Sequence, residues 1–290
     1  MKIGLIGVGV MGEPMARNVR KAGHQVAVFN RSPERCEPLR PLGIEVLGSA
    51  RQLFEFAEVT VLMVPSHAEV VEVLERSPDG AIAAPVQGKT IVLMATVAPA
   101  YSLDLGARLR AAGARYVEAP VSGSKQPAEN AQLVILAAAA EPDDIDAVQP
   151  LFDAIGKKTV RCGVAPMAMR MKLANQLLLI AWFEAISEAT HFAQGIGLDT
   201  REFLEMAQAG PLANDVLRSK VSKLASDDFT QQAPVRHVAK DIGLVCDEAA
   251  QRGLWLPIAN TNRALFNEAM QAGQDQDDAI GILKILRRGR

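Results

Sequence analysis

The stretch "GLIGVGVMGEPMARNV", residues 4–19, decides the fold because three glycines join an apolar run to an amphipathic one. Gly7, Gly9 and Gly12 have the spacing G-x-G-x-x-G. The apolar run predicts a strand and the amphipathic run predicts a helix. Between such elements the first glycine permits a tight turn, the second lets the backbone approach a pyrophosphate, and the third lets helix and strand pack closely. The stretch therefore predicts a dinucleotide-binding unit, and a glycine-rich structural turn is the alternative.

Short apolar runs alternate with helical patterns through the first half of the chain. The runs predict strands at 2–7, 25–30, 59–64, 90–95, 114–119, 132–138 and 157–162. Helical patterns lie between them, for instance at 11–22, 99–112 and 141–156. Strands that are apolar on both faces are typical of a parallel sheet covered by helices. We therefore expect an α/β fold that begins with a Rossmann-type doubly wound sheet.

The character of the sequence changes after Gly163. One helical pattern covers about 166–194, which would extend roughly 40 Å at about 1.5 Å per residue. The later patterns are also helical, at 200–209, 212–224, 234–252, 257–272 and 275–287. We therefore expect a nucleotide-binding domain at 1–164 and an all-α domain at 165–290 for substrate binding and oligomerisation, joined by the long helix.

The composition argues against several classes of protein. The chain has 290 residues and a formal net charge of −2, so no overall basic field attracts nucleic acid or an anionic membrane. The N-terminus lacks the pattern of a signal peptide, and no apolar run approaches the ~18 residues of a membrane span. Three widely spaced cysteines and four scattered histidines fit neither a disulfide framework nor a metal site. We expect a soluble cytoplasmic protein without a bound metal.

The end of the second predicted strand, "VFNRS" (28–32), bears on the choice of cofactor. An NAD site usually places an acid there, which binds the ribose 2′-hydroxyl. This chain has Asn30, Arg31 and Ser32 instead. Arg31 can form charge-assisted bonds with a 2′-phosphate, so NADP(H) is favoured, and a solvated surface arginine is the alternative. The other expected cofactor contacts, besides the three glycines, are Val10, Met11, Val64 and Pro65.

Several ordered motifs resemble the β-hydroxyacid dehydrogenase family over essentially the whole chain. They are "GLIGVGVMGEPMARN", "VFNRS", "MATVAP", "APVSGSKQPAE", "MRMKLANQ" and "AKDIGL". Within the family, "SGSKQPAE" is most similar to the glyoxylate/succinic semialdehyde reductase branch, because hydroxyisobutyrate dehydrogenases usually carry Ser-Gly-Gly followed by Gly-Ala. The resemblance implies an NADP-dependent oxidoreductase that acts on a small carbonyl substrate bearing a carboxylate.

The resemblance implies that Lys172 is the catalytic acid/base. The chemistry gives an independent reason, because hydride addition to a carbonyl leaves negative charge on oxygen, which an ammonium can stabilise and protonate. Desolvation lowers the pKa of a lysine toward the working range. The alternative is a lysine whose stem reaches water from a buried helix.

Position 176 lies one helical turn after Lys172 and therefore on the same face. Members of the family usually have asparagine there, which bonds the lysine or the substrate. This sequence has Gln176, with Asn175 one place earlier. Either Gln176 takes the asparagine's role or the pocket has a different shape.

The resemblance assigns roles to residues of three further motifs. Ser122 and Gly123 match the family's carboxylate-binding pair, with an ordinary turn as the alternative. Thr96 matches a position near the nicotinamide and the substrate, and the alternative is a helix N-cap before Pro99. Lys240 matches a lysine that reaches the cofactor, and the alternative is an ion pair with its neighbour Asp241.

Two departures from the family pattern affect the expected substrate. Pro166 and Ala168 stand where glycines are usual, and Ala233 aligns where a pocket-lining phenylalanine is often found. The leading hypothesis is an NADPH-dependent reductase of a small aldehyde acid, of the glyoxylate or succinic semialdehyde type. The alternatives are a dehydrogenase of the hydroxyisobutyrate or tartronate semialdehyde type, an imine-reducing relative, and a non-catalytic NADP-binding module.

The resemblance also suggests how the parts cooperate. We expect NADPH to occupy the first domain and the substrate to enter the cleft between it and the helical domain. An apolar bridging helix predicts burial against another subunit, as a homodimer or homotetramer.

Overall fold

The structure is a computed structural model that describes residues 1–74 and 81–289. The chain forms two compact units, Met1–Lys172 and Leu173–Arg290. The division falls inside the long helix, after Lys172, whereas the change in sequence pattern predicts a domain boundary near residue 164. Each unit has its own apolar core.

The N-terminal unit is built on one mixed sheet. Its strands are β1 (Lys2–Ile6), β2 (Gln25–Phe29), β3 (Glu45–Val46), β4 (Val59–Leu62), β5 (Thr90–Leu93), β6 (Arg115–Glu118), β7 (Val121–Ser122), β8 (Leu133–Ala139) and β9 (Gly156–Gly163). The order is β3-β2-β1-β4-β5-β6-β8-β7, with β9 paired to β8. The first six strands of this order are parallel, as in a Rossmann-type sheet. The predicted doubly wound sheet is confirmed.

The other end of the sheet is antiparallel. Strand β8 runs antiparallel to β6 and β7, and parallel to β9. Strands β3 and β7 are not predicted from the sequence, because two residues are too few to show a pattern. In the structure Ser122 lies in β7 and is paired to Val134 of β8, so it does not lie in an ordinary turn.

Helices cover both faces of this sheet. Those of the N-terminal unit are α1 (Gly12–Lys21), α2 (Ala50–Phe56), α3 (His67–Val73), α4 (Pro99–Ala111), α5 (Lys125–Glu129) and α6 (Pro142–Ile155). Val92 of β5 packs in the core formed with α1 and α6, whereas its neighbours Ile91 and Leu93 pack in the core formed with α2, α3 and α4. Because side chains alternate along a strand, both faces must be apolar, and they are.

The long helix α7 (Met167–Gly195) has 29 residues, close to the predicted 166–194. The C-terminal unit continues with α8 (Thr200–Ala209), α9 (Asp215–Ala225), α10 (Val235–Gln251), α11 (Pro257–Gln271) and α12 (Ile282–Arg288). None of the helices within residues 1–74 and 81–289 combines the length and the apolar composition needed to cross a bilayer.

The predicted helix at 275–287 is wrong over residues 275–278, because the Asp278 side chain forms tertiary bonds. Its carboxylate accepts the backbone N–H groups of Gln232 and Ala233 at 2.8 and 2.9 Å. It also pairs with the buried ammonium of Lys220 at 2.8 Å. These bonds hold the chain at 278 in an extended conformation, so helical structure begins with a 3-10 helix at Ala279–Gly281 and continues as the α-helix from Ile282.

Candidate active site

The carboxyl edge of the parallel sheet collects the candidate residues of the N-terminal unit. Backbone bonds continue past the strand ends, from Met63 N to Ile6 O (2.9 Å) and from Ala119 N to Leu93 O (2.8 Å). The segments that follow neighbouring strands therefore lie side by side, where such folds bind ligands. These segments contain the glycine loop 7–12 and Asn30, Arg31, Ser32, Val64, Pro65, Thr96, Ser122 and Gly123.

Two glycines of the loop are required by the protein itself. Gly7 has φ +100°, and a Cβ there would collide with the carbonyl oxygen of Met63. A Cβ on Gly12 would collide with the carbonyl oxygen of Gly7. The tight turn and the close packing of helix α1 on the loop thus have direct steric causes.

No described part of the protein requires glycine at position 9, and this supports the binding of a dinucleotide at the loop. A Cβ at Gly9 would meet no atom of the described residues within 4 Å, and its φ lies outside the left-handed region. Neither packing nor backbone conformation requires glycine at this position. A ligand that approaches the backbone closely does require it, and a pyrophosphate at the start of α1 fits.

Asn30 braces the loop from the end of β2. Its Oδ1 accepts the N–H of Val8 at 2.9 Å, and its Nδ2 donates to the carbonyl of Ser32 at 3.0 Å. Arg31 is different, because its side chain is 75% exposed and lies 3.9 Å from Glu72. The Asn30 amide therefore stabilises the conformation of the loop, whereas the Arg31 side chain lies at the surface of this edge.

Lys172 lies in the second turn of α7 and is only 7% exposed. The start of this helix is bonded to the sheet by Glu118, the last residue of β6. Its Oε2 accepts the backbone N–H groups of Ala168 and Met169 at 2.9 and 3.1 Å. All of these residues belong to the N-terminal unit.

Glu118 is fully buried and continues into a hydrogen-bond chain. Its Oε1 accepts from the Ser102 hydroxyl, and the Ser102 and Tyr116 oxygens are 2.6 Å apart. Burial raises the pKa of Glu118, although the hydrogen bonds from Ser102 and the α7 backbone oppose the rise. Glu118 is not identified from the sequence; the available signal is a glutamate at the end of a strand that is buried on both faces.

In the C-terminal unit, Gln176 is 6% exposed and donates from Nε2 to Oδ2 of Asp241 at 2.6 Å. The ammonium of Lys240 lies 3.0 Å from Oδ1 of the same carboxylate. The ion pair that the sequence analysis gives as the alternative for Lys240 is therefore formed. Asn175 is exposed, so Gln176 and Asn175 have different surroundings.

Two other candidates have clear local settings. The N-cap of α4 is Ala98, so Thr96 does not have the capping role that is its alternative. Gly123 has φ +131°, and a Cβ would approach Leu133 to 2.8 Å. The local backbone therefore requires glycine after Ser122.

Comparisons with known proteins agree over the whole chain. The family model described as the NAD binding domain of 6-phosphogluconate dehydrogenase matches residues 2–163, and that described as NAD-binding of NADP-dependent 3-hydroxyisobutyrate dehydrogenase matches residues 167–286. The chain is 32% identical to 2-hydroxy-3-oxopropionate reductase of Escherichia coli (strain K12), over 99% of this chain and 97% of that protein. It is 28% identical to glyoxylate/succinic semialdehyde reductase 1 of Arabidopsis thaliana, over 100% of both chains.

A solved structure has the same fold. The crystal structure of 3-hydroxyisobutyrate dehydrogenase from Salmonella typhimurium superposes with a TM-score of 0.90 at 26% identity, over 98% of this chain and 99% of that one. These relatives, together with the Rossmann-type sheet and a glycine loop that can accept a dinucleotide, identify the chain as an NAD(P)-dependent oxidoreductase. Within that class, the chain belongs to the β-hydroxyacid dehydrogenase family, which confirms the family expected from the sequence.

Proposed function

We propose that the protein is an NADPH-dependent reductase that converts the carbonyl of a small aldehyde acid to the hydroxy acid. The observation that carries the proposal is Lys172, a lysine that is only 7% exposed on a helix whose first turn donates two hydrogen bonds to Glu118 at the end of β6. The relatives named glyoxylate/succinic semialdehyde reductase and 2-hydroxy-3-oxopropionate reductase support this substrate class.

The residues divide the chemistry between them. The nicotinamide of the bound cofactor supplies the hydride. Lys172 donates a hydrogen bond to the carbonyl oxygen and transfers its proton as negative charge develops there. Because Lys172 is only 7% exposed, its interaction with this developing charge is screened little by water. The Ser122 hydroxyl and the backbone at Gly123 receive the carboxylate of the substrate.

The direct test replaces Lys172. Lys172→Ala removes the proton donor and should lower kcat at least about 100-fold, with NADPH affinity changed less than about 2-fold. Lys172→Arg retains a cation that does not release its proton, so it should be similarly inactive if proton transfer is the role. NADPH oxidation and NADPH binding by fluorescence would be measured for each variant. Full activity of Lys172→Ala would contradict the proposal.

The substrate class is tested with the wild-type enzyme. NADPH oxidation is compared across glyoxylate, succinic semialdehyde, tartronate semialdehyde and a set of imines, and hydroxyisobutyrate is assayed in the oxidative direction. We expect the highest kcat/KM with an aldehyde acid. Tight NADPH binding without turnover of any compound would instead favour a non-catalytic binding module.

The preference for NADPH is assigned to Arg31. Loss of charge-assisted bonds to the 2′-phosphate should weaken NADPH binding about 10- to 100-fold in Arg31→Ala and leave NADH binding unchanged. Glu72→Gln is the matched control, because it changes the charge 3.9 Å from Arg31 without removing the guanidinium. An Arg31→Ala enzyme with unaltered NADPH/NADH preference would remove Arg31 from this role.

A further inference from the structure

Glu118 accepts hydrogen bonds from the first turn of α7, the helix that carries Lys172. The first four N–H groups of an α-helix have no partner within the helix. In α7, Ala168 N and Met169 N belong to the first turn, and both donate to Oε2 of Glu118 at 2.9 and 3.1 Å. A single fully buried carboxylate from the sheet therefore satisfies two N–H groups of the helix start.

The rest of the network holds this carboxylate in one orientation. With Glu118 ionised, the Tyr116 hydroxyl donates to Ser102, the Ser102 hydroxyl donates to Oε1, and the helix donates to Oε2. Ser102 and Tyr116 are themselves buried. The carboxylate is thus restrained from α4 on one side and directed at α7 on the other.

The position of Glu118 in the chain connects two parts of the candidate site. Ser122 follows it on the next short strand, β7, and Lys172 follows Met169 within one helical turn. The bond from Glu118 to α7 therefore joins the segment that carries the carboxylate-binding serine to the segment that carries the proton donor. Proton transfer depends on this geometry, because a shift of about 1 Å can lower a rate about 100-fold.

We propose that Glu118 is a positioning residue, which fixes Lys172 over the sheet edge through the first turn of α7. This inference rests on the proposed role of Lys172 in proton transfer. The length of the Glu118 side chain, not only its charge, sets the position of the helix start.

Two conservative variants separate the effect of the length of the Glu118 side chain from the effect of its charge. Glu118→Gln keeps the reach: its carbonyl oxygen accepts the two helix N–H groups, and its amide donates to the Ser102 oxygen. Glu118→Asp keeps the charge but withdraws the carboxylate by one methylene. We expect kcat within about 3-fold of wild type for Glu118→Gln and a loss of about 10- to 100-fold for Glu118→Asp. NADPH affinity should change less than about 2-fold in both, because the glycine loop is not altered.

The control is Tyr116→Phe, which disturbs the same network without touching α7. It should retain kcat even where it lowers the thermal midpoint, so that loss of stability alone does not explain the Glu118→Asp result. Hydrogen exchange should be faster at the amides of Ala168 and Met169 in Glu118→Asp than in Glu118→Gln. Equal kcat for Glu118→Asp and wild type, or equal losses in Glu118→Asp and Tyr116→Phe, would overturn the inference.

The two single variants together distinguish this inference from the proposed function. If Lys172→Ala is inactive while Glu118→Asp is fully active, only the positioning role of Glu118 fails. If Lys172→Ala is fully active, the proposed function fails and the inference fails with it. If both hold, adding Glu118→Asp to Lys172→Ala should produce no further loss of kcat, because the two residues act through one group.

Discussion

Gly7, Gly9 and Gly12 are neighbours in one loop, yet each responds to a different constraint. Gly7 adopts a backbone conformation that favours glycine, and Gly12 leaves no room for a Cβ beside a carbonyl oxygen. At Gly9 the described protein atoms leave room within 4 Å. Folding and cofactor binding can therefore be separated by substitution within the same motif.

We predict opposite results for alanine at Gly9 and Gly12. Gly9→Ala should weaken NADPH binding about 10-fold or more and leave the free energy of unfolding within about 0.5 kcal/mol of wild type. Gly12→Ala should lower the free energy of unfolding by about 2 kcal/mol, because its Cβ overlaps backbone that cannot move away easily. Denaturant unfolding without cofactor and NADPH titration measure the two quantities. A destabilised Gly9→Ala protein with normal NADPH affinity would contradict this division.

The glycine spacing could be recognised from sequence because all three positions lie within one strand–turn–helix unit. The partners of Asn30 and Glu118 could not be recognised in this way. Asn30 bonds Val8, which lies on a different strand–loop unit, and Glu118 bonds an α7 backbone 50 residues further along the chain. Such roles depend on the packing of distant elements, which local patterns do not contain.

Helix α7 shows what an element-length pattern can and cannot establish. A sustained helical pattern predicts its bounds within a residue at each end. The start of the last helix is not predicted, because Asp278 forms tertiary bonds that stop the helix from starting earlier, whereas its end is predicted within a residue. Long local patterns are therefore informative, whereas a single buried charge can override a short one.

Glu184 and Glu188 lie one turn apart on α7, and their interaction makes the stability of the protein depend on pH. Burial, a hydrogen bond to Glu188 and the charge of Glu188 raise the pKa of Glu184 to about 7. This folded-state pKa lies above the ordinary value of 4.5, so the protonated form is favoured in the folded protein. The contribution of Glu184 to stability is fully present below about pH 4.5 and is lost as the pH rises through about 7.

We therefore predict that Glu184→Gln stabilises the protein at alkaline pH. Its thermal midpoint should exceed that of wild type by about 2 °C or more near pH 8, and the difference should shrink toward pH 5. Glu205→Gln, an exposed site on α8 with the same change in formal charge, serves as the control and should not reproduce this trend. A difference between Glu184→Gln and wild type that is constant from about pH 5 to about pH 8 would refute the assignment.

At the scale of the whole molecule, α7 presents an exposed apolar stripe. Leu178, Ala185 and Phe192 are seven residues apart, and Leu178 and Phe192 are 63% and 65% exposed. A spacing of seven residues places side chains on one line along a helix, as in helices that pair with each other. We propose that a second copy of the chain covers this stripe in a homodimer.

A charge within the stripe should separate the subunits. Phe192→Glu is expected to give a monomer at micromolar concentration, because pairing would bury two carboxylates against apolar side chains. Leu103→Glu, a comparable change at a 48% exposed position of α4 in the N-terminal unit, should leave the subunit number unchanged. Light scattering measures both, and a monomeric wild-type protein would refute the proposal.

The bonds of Asp278 have a consequence for shortened forms of the protein. A chain that stopped at Asp277 would retain every residue assigned here to catalysis, cofactor and substrate. It would nevertheless lose the carboxylate that holds Gln232 and Ala233 immediately before α10, the helix that carries Lys240 and Asp241. Removing the residues after Asp277 should therefore alter the surroundings of Lys240 and Asp241, because the segment that leads into α10 would lose the hydrogen bonds that fix it.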